Sequence, residues 1–213
     1  MMETFSCDIE TDGIEATKVW CAVVQNVYTE ETTVFYKPDD FSNWLDEQTL
    51  VFHNGIAFDV PVLEEIWGID FNNITIEDTL ILSQLDSPRR EGGHSLANWG
   101  EYLGYHKGDH EDWSKLSTEM VEYCIRDTEI TSKVYKILRQ KGLSQDAKEL
   151  EYAIKRQCTV QEKNGWLFDE RGAIEILQSI NEDLRKSEEE VHKKFKPLPL
   201  WKSKTPVKNK FKN

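Results

Sequence analysis

Residues 3–13 read Glu-Thr-Phe-Ser-Cys-Asp-Ile-Glu-Thr-Asp-Gly, and the fold follows from how this stretch is read. Its alternation is that of a strand, with Phe5, Cys7 and Ile9 on one face. Asp8 and Glu10 lie two residues apart and share the opposite face. Two carboxylates side by side repel each other and raise the pKa of one, unless a cation lies between them. An isolated Asp-x-Glu is more often a solvated polar face, so the pair takes its meaning from the residues that follow. Asp12-Gly13 closes the stretch with a turn signal.

Working outward, residues 18–28 and 32–36 are β-branched or aromatic runs around a polar Glu-Glu turn, and they predict antiparallel neighbours. Residues 38–47 predict a helix with Phe41, Trp44 and Leu45 inward. Residues 49–52 form a short apolar strand ending at His-Asn-Gly, residues 57–67 a helix, and residues 74–76 a fifth strand. An antiparallel meander followed by alternating strands and helices predicts an α/β fold: a mixed five-stranded sheet flanked by helices. Beyond residue 78 the pattern turns helical, over residues 79–85, 95–103 and 118–140. Two long charged helices are expected at 145–163 and 169–194, separated by the helix-stopping Asn164-Gly165. This gives an expected first domain at 1–142, a helical segment at 143–194 and a Pro/Lys-rich tail or linker at 195–213.

Composition narrows the function. The 213 residues are 38% hydrophobic and 31% charged, enough apolar content for a core. No apolar run reaches the length of a membrane span, so no membrane association is expected. The N-terminal residues carry no secretory pattern, and a cytoplasmic setting is expected. Cys7, Cys21, Cys124 and Cys158 are widely spaced without a Cys-x-x-Cys, which predicts reduced thiols rather than a disulfide frame or zinc knuckle. The net charge of −13 is unevenly distributed. Eight lysines and no acid lie between His192 and Asn213, leaving 18 basic against 39 acidic side chains before them. Such a body repels phosphates over a broad face, but it can accept a strand end where cations neutralise the site.

Two further elements carry chemistry. In His53-Asn54-Gly55-Ile56-Ala57-Phe58-Asp59, Asn54 ends a buried strand and Gly55 allows a tight turn. Asp59 falls in the first turn of the next helix, where its charge suits the dipole. In Tyr123-Cys124-Ile125-Arg126-Asp127, Tyr and Asp at i, i+4 share one helix face. Each motif alone is weak, but their order along the chain is hard to obtain by accident.

These segments resemble the 3′–5′ exonuclease domain of family A DNA polymerases, in the tyrosine-bearing branch of the DEDD exonucleases and in the form carried by small-phage replicative polymerases. Asp8–Ile14 resembles the first exonuclease motif, His53–Asp59 the second and Tyr123–Asp127 the third. Residues 77–85 and 93–104 agree as well, and Glu122 stands where the histidine-bearing branch has its His. Residues 161–169 resemble the first helices of a polymerase portion. The resemblance implies an RNase H-like sheet and a proofreading enzyme that releases 5′-mononucleotides from DNA 3′ ends, set in a phage-infected or bacterial host cell. It implies two divalent cations, Mg²⁺ or Mn²⁺, with Asp8, Glu10 and Asp127 on one and Asp59 on the other, Asp8 bridging. Tyr123 would orient the attacking water. Ile14 would wedge against the terminal base and Asn54 would hydrogen-bond near the frayed strand. Trp113 would stack on a base, with Thr11 and Phe58 completing the substrate contacts. The expected partners are a single-stranded or frayed DNA 3′ end and a polymerase domain, in cis beyond Asn213 or in trans. His94 reads as a structural histidine and Asp78 as the cap of the helix beginning at Thr79. Two alternatives stand beside this reading: a stand-alone exonuclease acting on RNA or DNA, and a non-catalytic module that docks a replication partner.

Overall fold

The computed structural model describes residues 3–195, apart from 107 and 109. The expected tail beyond Phe195 lies outside the described residues. Five strands form one sheet in the order β3-β2-β1-β4-β5: β1 (Thr4–Thr11), β2 (Val19–Asn26), β3 (Thr32–Phe35), β4 (Thr49–Phe52) and β5 (Thr75–Asp78). β1 pairs antiparallel with β2, and β2 with β3; β1–β4 and β4–β5 are parallel. This is the mixed sheet that the alternation in the sequence predicts.

The central strands are apolar on both faces because both are covered. On one face, Cys7, Ile9, Ala22, Val24, Leu50 and Phe52 pack with Phe41 of α1 (Pro38–Trp44) and with Leu63. On the other, Cys21 and Val23 meet Cys124 of α5 (Thr118–Leu138), flanked by Val121 and Ile125. A third cluster joins α3 (Thr79–Asp86), α4 (Leu96–Leu103), α5 and α6 (Gln145–Asn164) through Ile81, Leu82, Trp99, Ile130, Val134 and Tyr152. Each fully buried aliphatic or aromatic side chain contributes roughly 1.5–3 kcal/mol, so the sheet and α5 form the most strongly held part of the chain.

By its contacts the chain divides after Asn164 into Met1–Asn164 and Gly165–Asn213. Gly165 has φ 68°, a left-handed conformation that ends α6 at little steric cost. The described part of the second unit is dominated by α7 (Glu170–Lys194). Asp169 caps this helix, accepting a hydrogen bond from the Gly172 amide at 2.9 Å. Among the described residues no helix is long and apolar enough to cross a membrane.

Two elements differ from expectation. α1 stops at Trp44 because Leu45 turns to extended backbone. The helix expected over 57–67 begins only at Asp59, as α2 (Asp59–Val62), and widens into a π-helical turn over Leu63–Trp67. Ala57 and Phe58 bond back to Asn54 and Gly55 as tight turns, and Phe58 has non-helical φ −129°, ψ −68°.

Candidate active site

The parallel pairing brings the carboxyl ends of β1, β4 and β5 to one edge of the sheet, where ligands collect in open α/β folds. A cavity of about 480 Å³ opens there. Asp8 and Glu10 enter it from the end of β1, opposite Val23 and Cys21 of β2. They lie on the sheet face that α5 covers, and Cys124 of α5 donates a hydrogen bond through its thiol to Asp8 Oδ2 at 3.4 Å. Donor atoms of Asp8, Glu10 and Cys124 all lie within 4.8 Å of one another. Asp127 and Tyr123, one turn apart on α5, line the same cavity, with Asp127 buried and Tyr123 partly exposed.

The second motif enters through an unusual turn. Asn54 has φ 67°, a left-handed conformation that Asn tolerates better than most residues. The sequence assigned the turn's freedom to Gly55, but Gly55 is needed for a different reason. A Cβ there would sit 2.2 Å from Phe52 Cβ, so only glycine fits against the strand it has just left. The Asn54 and Ile56 amides donate to the Asp78 carboxylate at 2.9 and 3.2 Å, and the Leu80 amide donates to it at 3.0 Å. Asp78 is therefore the cap of α3, as expected, and also the clasp of the turn that leads to Asp59. The turn delivers Asp59 to the cavity at 5% exposure.

Electrostatics follow from this crowding. Burial pushes the Asp59 carboxyl up to about 7, and repulsion from Asp78 and Asp127 acts in the same direction against a hydrogen bond from the Ile9 backbone. Burial also raises Asp78, although four backbone amides oppose the shift. Cys124 is raised well above the usual thiol range by burial, by its contact with Cys21 and by Asp8. The site is short of positive charge at Asp59, and its donors are mainly hard oxygens, the set that Mg²⁺ and Mn²⁺ prefer.

The site residues expected from the sequence line this cavity: Asp8, Glu10, Asp59, Tyr123 and Asp127, with Thr11, Ile14, Asn54, Phe58 and Trp113. Ile14 stands at the rim with 92% of its surface exposed, an apolar side chain with no core to fill. Thr11 is different in kind, since its hydroxyl is committed to the Gly13 carbonyl at 2.8 Å and so shapes the turn. Trp113 packs edge-on against both Tyr123 and His110, with ring centroids 5.8 and 4.8 Å apart. His94 lies elsewhere, bonded to Ser83 Oγ at 2.7 Å beneath Trp99, and is structural.

The sequence reading missed three contributors. His53 lines the cavity and its Nδ1 meets Thr79 Oγ1 at 2.8 Å; its place beside Asn54 was the available signal. Cys124 follows Tyr123 in the chain, yet nothing in a helix pattern shows that it reaches Asp8. Trp20 anchors the Trp113 segment by donating from Nε1 to the Trp113 carbonyl at 3.1 Å. It can do so because the β1–β2 register slips between Glu10 and Thr11, passing over Trp20. No sequence signal marks that bulge.

The sequence profile of the 3′–5′ exonuclease family matches residues 2–143. The chain belongs to that family. Curated relatives of this exonuclease are the DNA-directed DNA polymerases of Escherichia phage T7 and Enterobacteria phage T3. Each is 26% identical, over 89% and 81% of this chain respectively. The chain spans about a third of their length, 37% and 34%. Among solved structures, Brucella melitensis NrnC bound to pGG superposes with a TM-score of 0.61 at 20% identity, covering 78% of this chain and 87% of NrnC. NrnC has also been solved with bound Mg²⁺. The catalytic core of Trypanosoma brucei RRP6 gives 0.53 at 19% identity, covering 75% of this chain and 47% of that one. At these identities NrnC and RRP6 show a shared fold.

Proposed function

We propose that this exonuclease is the proofreading part of a phage-type family A DNA polymerase, removing 5′-mononucleotides from DNA 3′ ends by two-metal-ion hydrolysis. The observation that carries the reading is the gathering of Asp8, Glu10, Asp59, Asp127 and Tyr123 around one cavity whose rim bears Ile14, Asn54 and Trp113. The relation to the T7 and T3 polymerases supports DNA as substrate and a polymerase portion as partner, in cis beyond Asn213 or in trans. On this reading residues 143–194 lead toward that portion.

The donor set fits a pair of hard divalent cations. Asp8, Glu10 and Asp127 would hold one, and Asp59 the other, with Asp8 shared. When bound, such cations lower the pKa of water and stabilise charge on the attacking and leaving oxygens of an in-line displacement. The remaining work falls to the chain. Tyr123 orients the attacking water through its hydroxyl. Ile14 offers an apolar edge to the last base and discourages it from pairing. Asn54 and Phe58 line the path of the terminal nucleotide. Trp113 offers a sequence-tolerant stacking face.

The test is release of mononucleotides from a 5′-labelled single-stranded DNA in Mg²⁺ or Mn²⁺. The double variant Asp8→Ala with Glu10→Ala should lose at least about 10³-fold, the scale expected when groups acting as a unit are removed. Metal-dependent activity retained in that variant would contradict the mechanism. An RNA oligonucleotide of the same sequence, degraded faster than the DNA, would favour the stand-alone reading, because the 2′-OH is the discriminating group.

A further inference from the structure

We propose that Tyr152, on α6, is a positioning residue for the catalytic turn, and that α6 is therefore a working part of the exonuclease although it lies beyond the family profile, which ends at residue 143. The inference rests on the nuclease reading above. The Tyr152 hydroxyl sits at a branch point. It donates to Glu77 Oε2 at 2.6 Å and accepts from the Asp78 amide at 3.2 Å. Lys148, one turn earlier on α6, closes the other oxygen of Glu77 at 2.7 Å, with both side chains largely buried. Two residues of α6 thus fix the last two residues of β5.

From there the connection to the site is direct. The Asp78 backbone is held by Tyr152, while its carboxylate holds the Asn54 and Ile56 amides. Tyr152 and Ile56 also belong to one apolar cluster. Asn54 sits in a left-handed conformation that Asn tolerates better than most residues. The Asp78 carboxylate holds it there through the Asn54 amide, and Asp78 is held from behind by α6. Removing the hydroxyl leaves a buried amide and a buried carboxylate each one partner short, which loosens the support rather than the site itself. Sites of this kind require placement to about half an ångström, and a supporting shell left loose is a recognised cause of poor activity.

Two measurements on the full chain test this. The first is amide hydrogen exchange at Asn54 and Ile56 by NMR in wild type, Tyr152→Phe and Lys148→Met. The second is kcat, KM and the half-activating Mn²⁺ concentration on single-stranded DNA, at a temperature where circular dichroism shows each variant folded. Tyr152→Phe should speed exchange at Asn54 and Ile56 about 10-fold and lower kcat/KM about 10-fold. It should also raise the half-activating Mn²⁺ concentration several-fold. Lys148→Met should do the same more weakly, and it replaces Tyr152→Phe if that variant does not fold. Tyr152→Phe combined with Asn54→Ala should lose less than the product of the two single losses, because both act through one turn. Wild-type exchange, kinetics and Mn²⁺ response in a variant whose only change is a lower melting temperature would overturn the inference and leave the nuclease reading intact. A wild-type chain that releases no nucleotide would sink the nuclease reading instead, and the exchange rates would still decide whether Tyr152 holds the turn.

Discussion

The two walls of the cavity are held in opposite ways. On one side, the turn carrying Asn54 and Asp59 is fastened by two amide hydrogen bonds to Asp78, by the close fit of Gly55 on Phe52, and by α6 behind β5. On the other, Trp113 is tied to the sheet by the Trp20 bond and edge contacts with His110 and Tyr123, at a part-exposed position. The first wall carries charge and the second carries a ring. Crowded carboxylates repel one another and must keep their spacing, so their support is dense. On the proposed reading the ring is a stacking face that must accept any base, for which a light tether is enough. The difference teaches that the chain places rigidity where repulsion has to be resisted.

The largest expected effect breaks the densely held wall electrostatically. Asp59 titrates near 7 in the folded chain against an ordinary 3.8. The folded state therefore holds a proton between about pH 4 and pH 7 that the unfolded chain has released, and stability falls as pH rises through that window. At about 1.4 kcal/mol per unit the full loss is up to about 4 kcal/mol. Thermal melts in chelator at pH 5 and pH 8 should show it; Asp59→Asn should flatten the difference, and Mn²⁺ should restore stability at pH 8. Equal pH dependence in wild type and Asp59→Asn would mean that Asp59 is not under this strain.

Next comes steric damage to the same wall. Gly55→Ala drives a methyl into Phe52 and should cost about 3 kcal/mol, the upper range for overpacking, with exonuclease activity lost in parallel. Denaturant unfolding measures the first and nucleotide release the second. On the lighter wall the outcome should invert. Trp113→Ala should weaken single-stranded DNA by roughly 1–3 kcal/mol, read as KM, with little change in melting temperature. If it unfolds the protein instead, Trp113 belongs to the core and the contrast between the walls fails. The smallest effect is expected for Trp20→Phe, which removes one hydrogen bond worth about 1 kcal/mol and should raise KM a few-fold without changing kcat.

Much of this was legible in the residues. Period-2 alternation in residues 4–11 put Asp8 and Glu10 on the face opposite Cys7 and Ile9, and the packing follows that division, since each face of the sheet meets a different layer. Asn164-Gly165 and Asp78 marked helix ends through capping chemistry that is local and therefore readable. What escaped was non-local. The start of α2 depends on hydrogen bonds from Asn54 and Ile56 to Asp78, more than twenty positions away, so a helix pattern beginning at Ala57 ran too far. The clasp of Asp78 by Tyr152 spans 74 residues and leaves no mark in either local pattern. The bulge that frees Trp20 arises from strand pairing rather than from any residue type. Local signals fixed the carboxylates, and long-range pairing decided what holds them.

The central claim is that Asp8, Glu10, Asp59 and Asp127 act together as a cage for divalent cations. Calorimetric titration of Mn²⁺ into the wild-type chain and into Asp8→Ala with Glu10→Ala tests it most directly. Two ions per chain in wild type, and weakened or absent binding in the variant with its fold intact, is the expected result. No Mn²⁺ binding by the wild type, or identical binding by both chains, would contradict it.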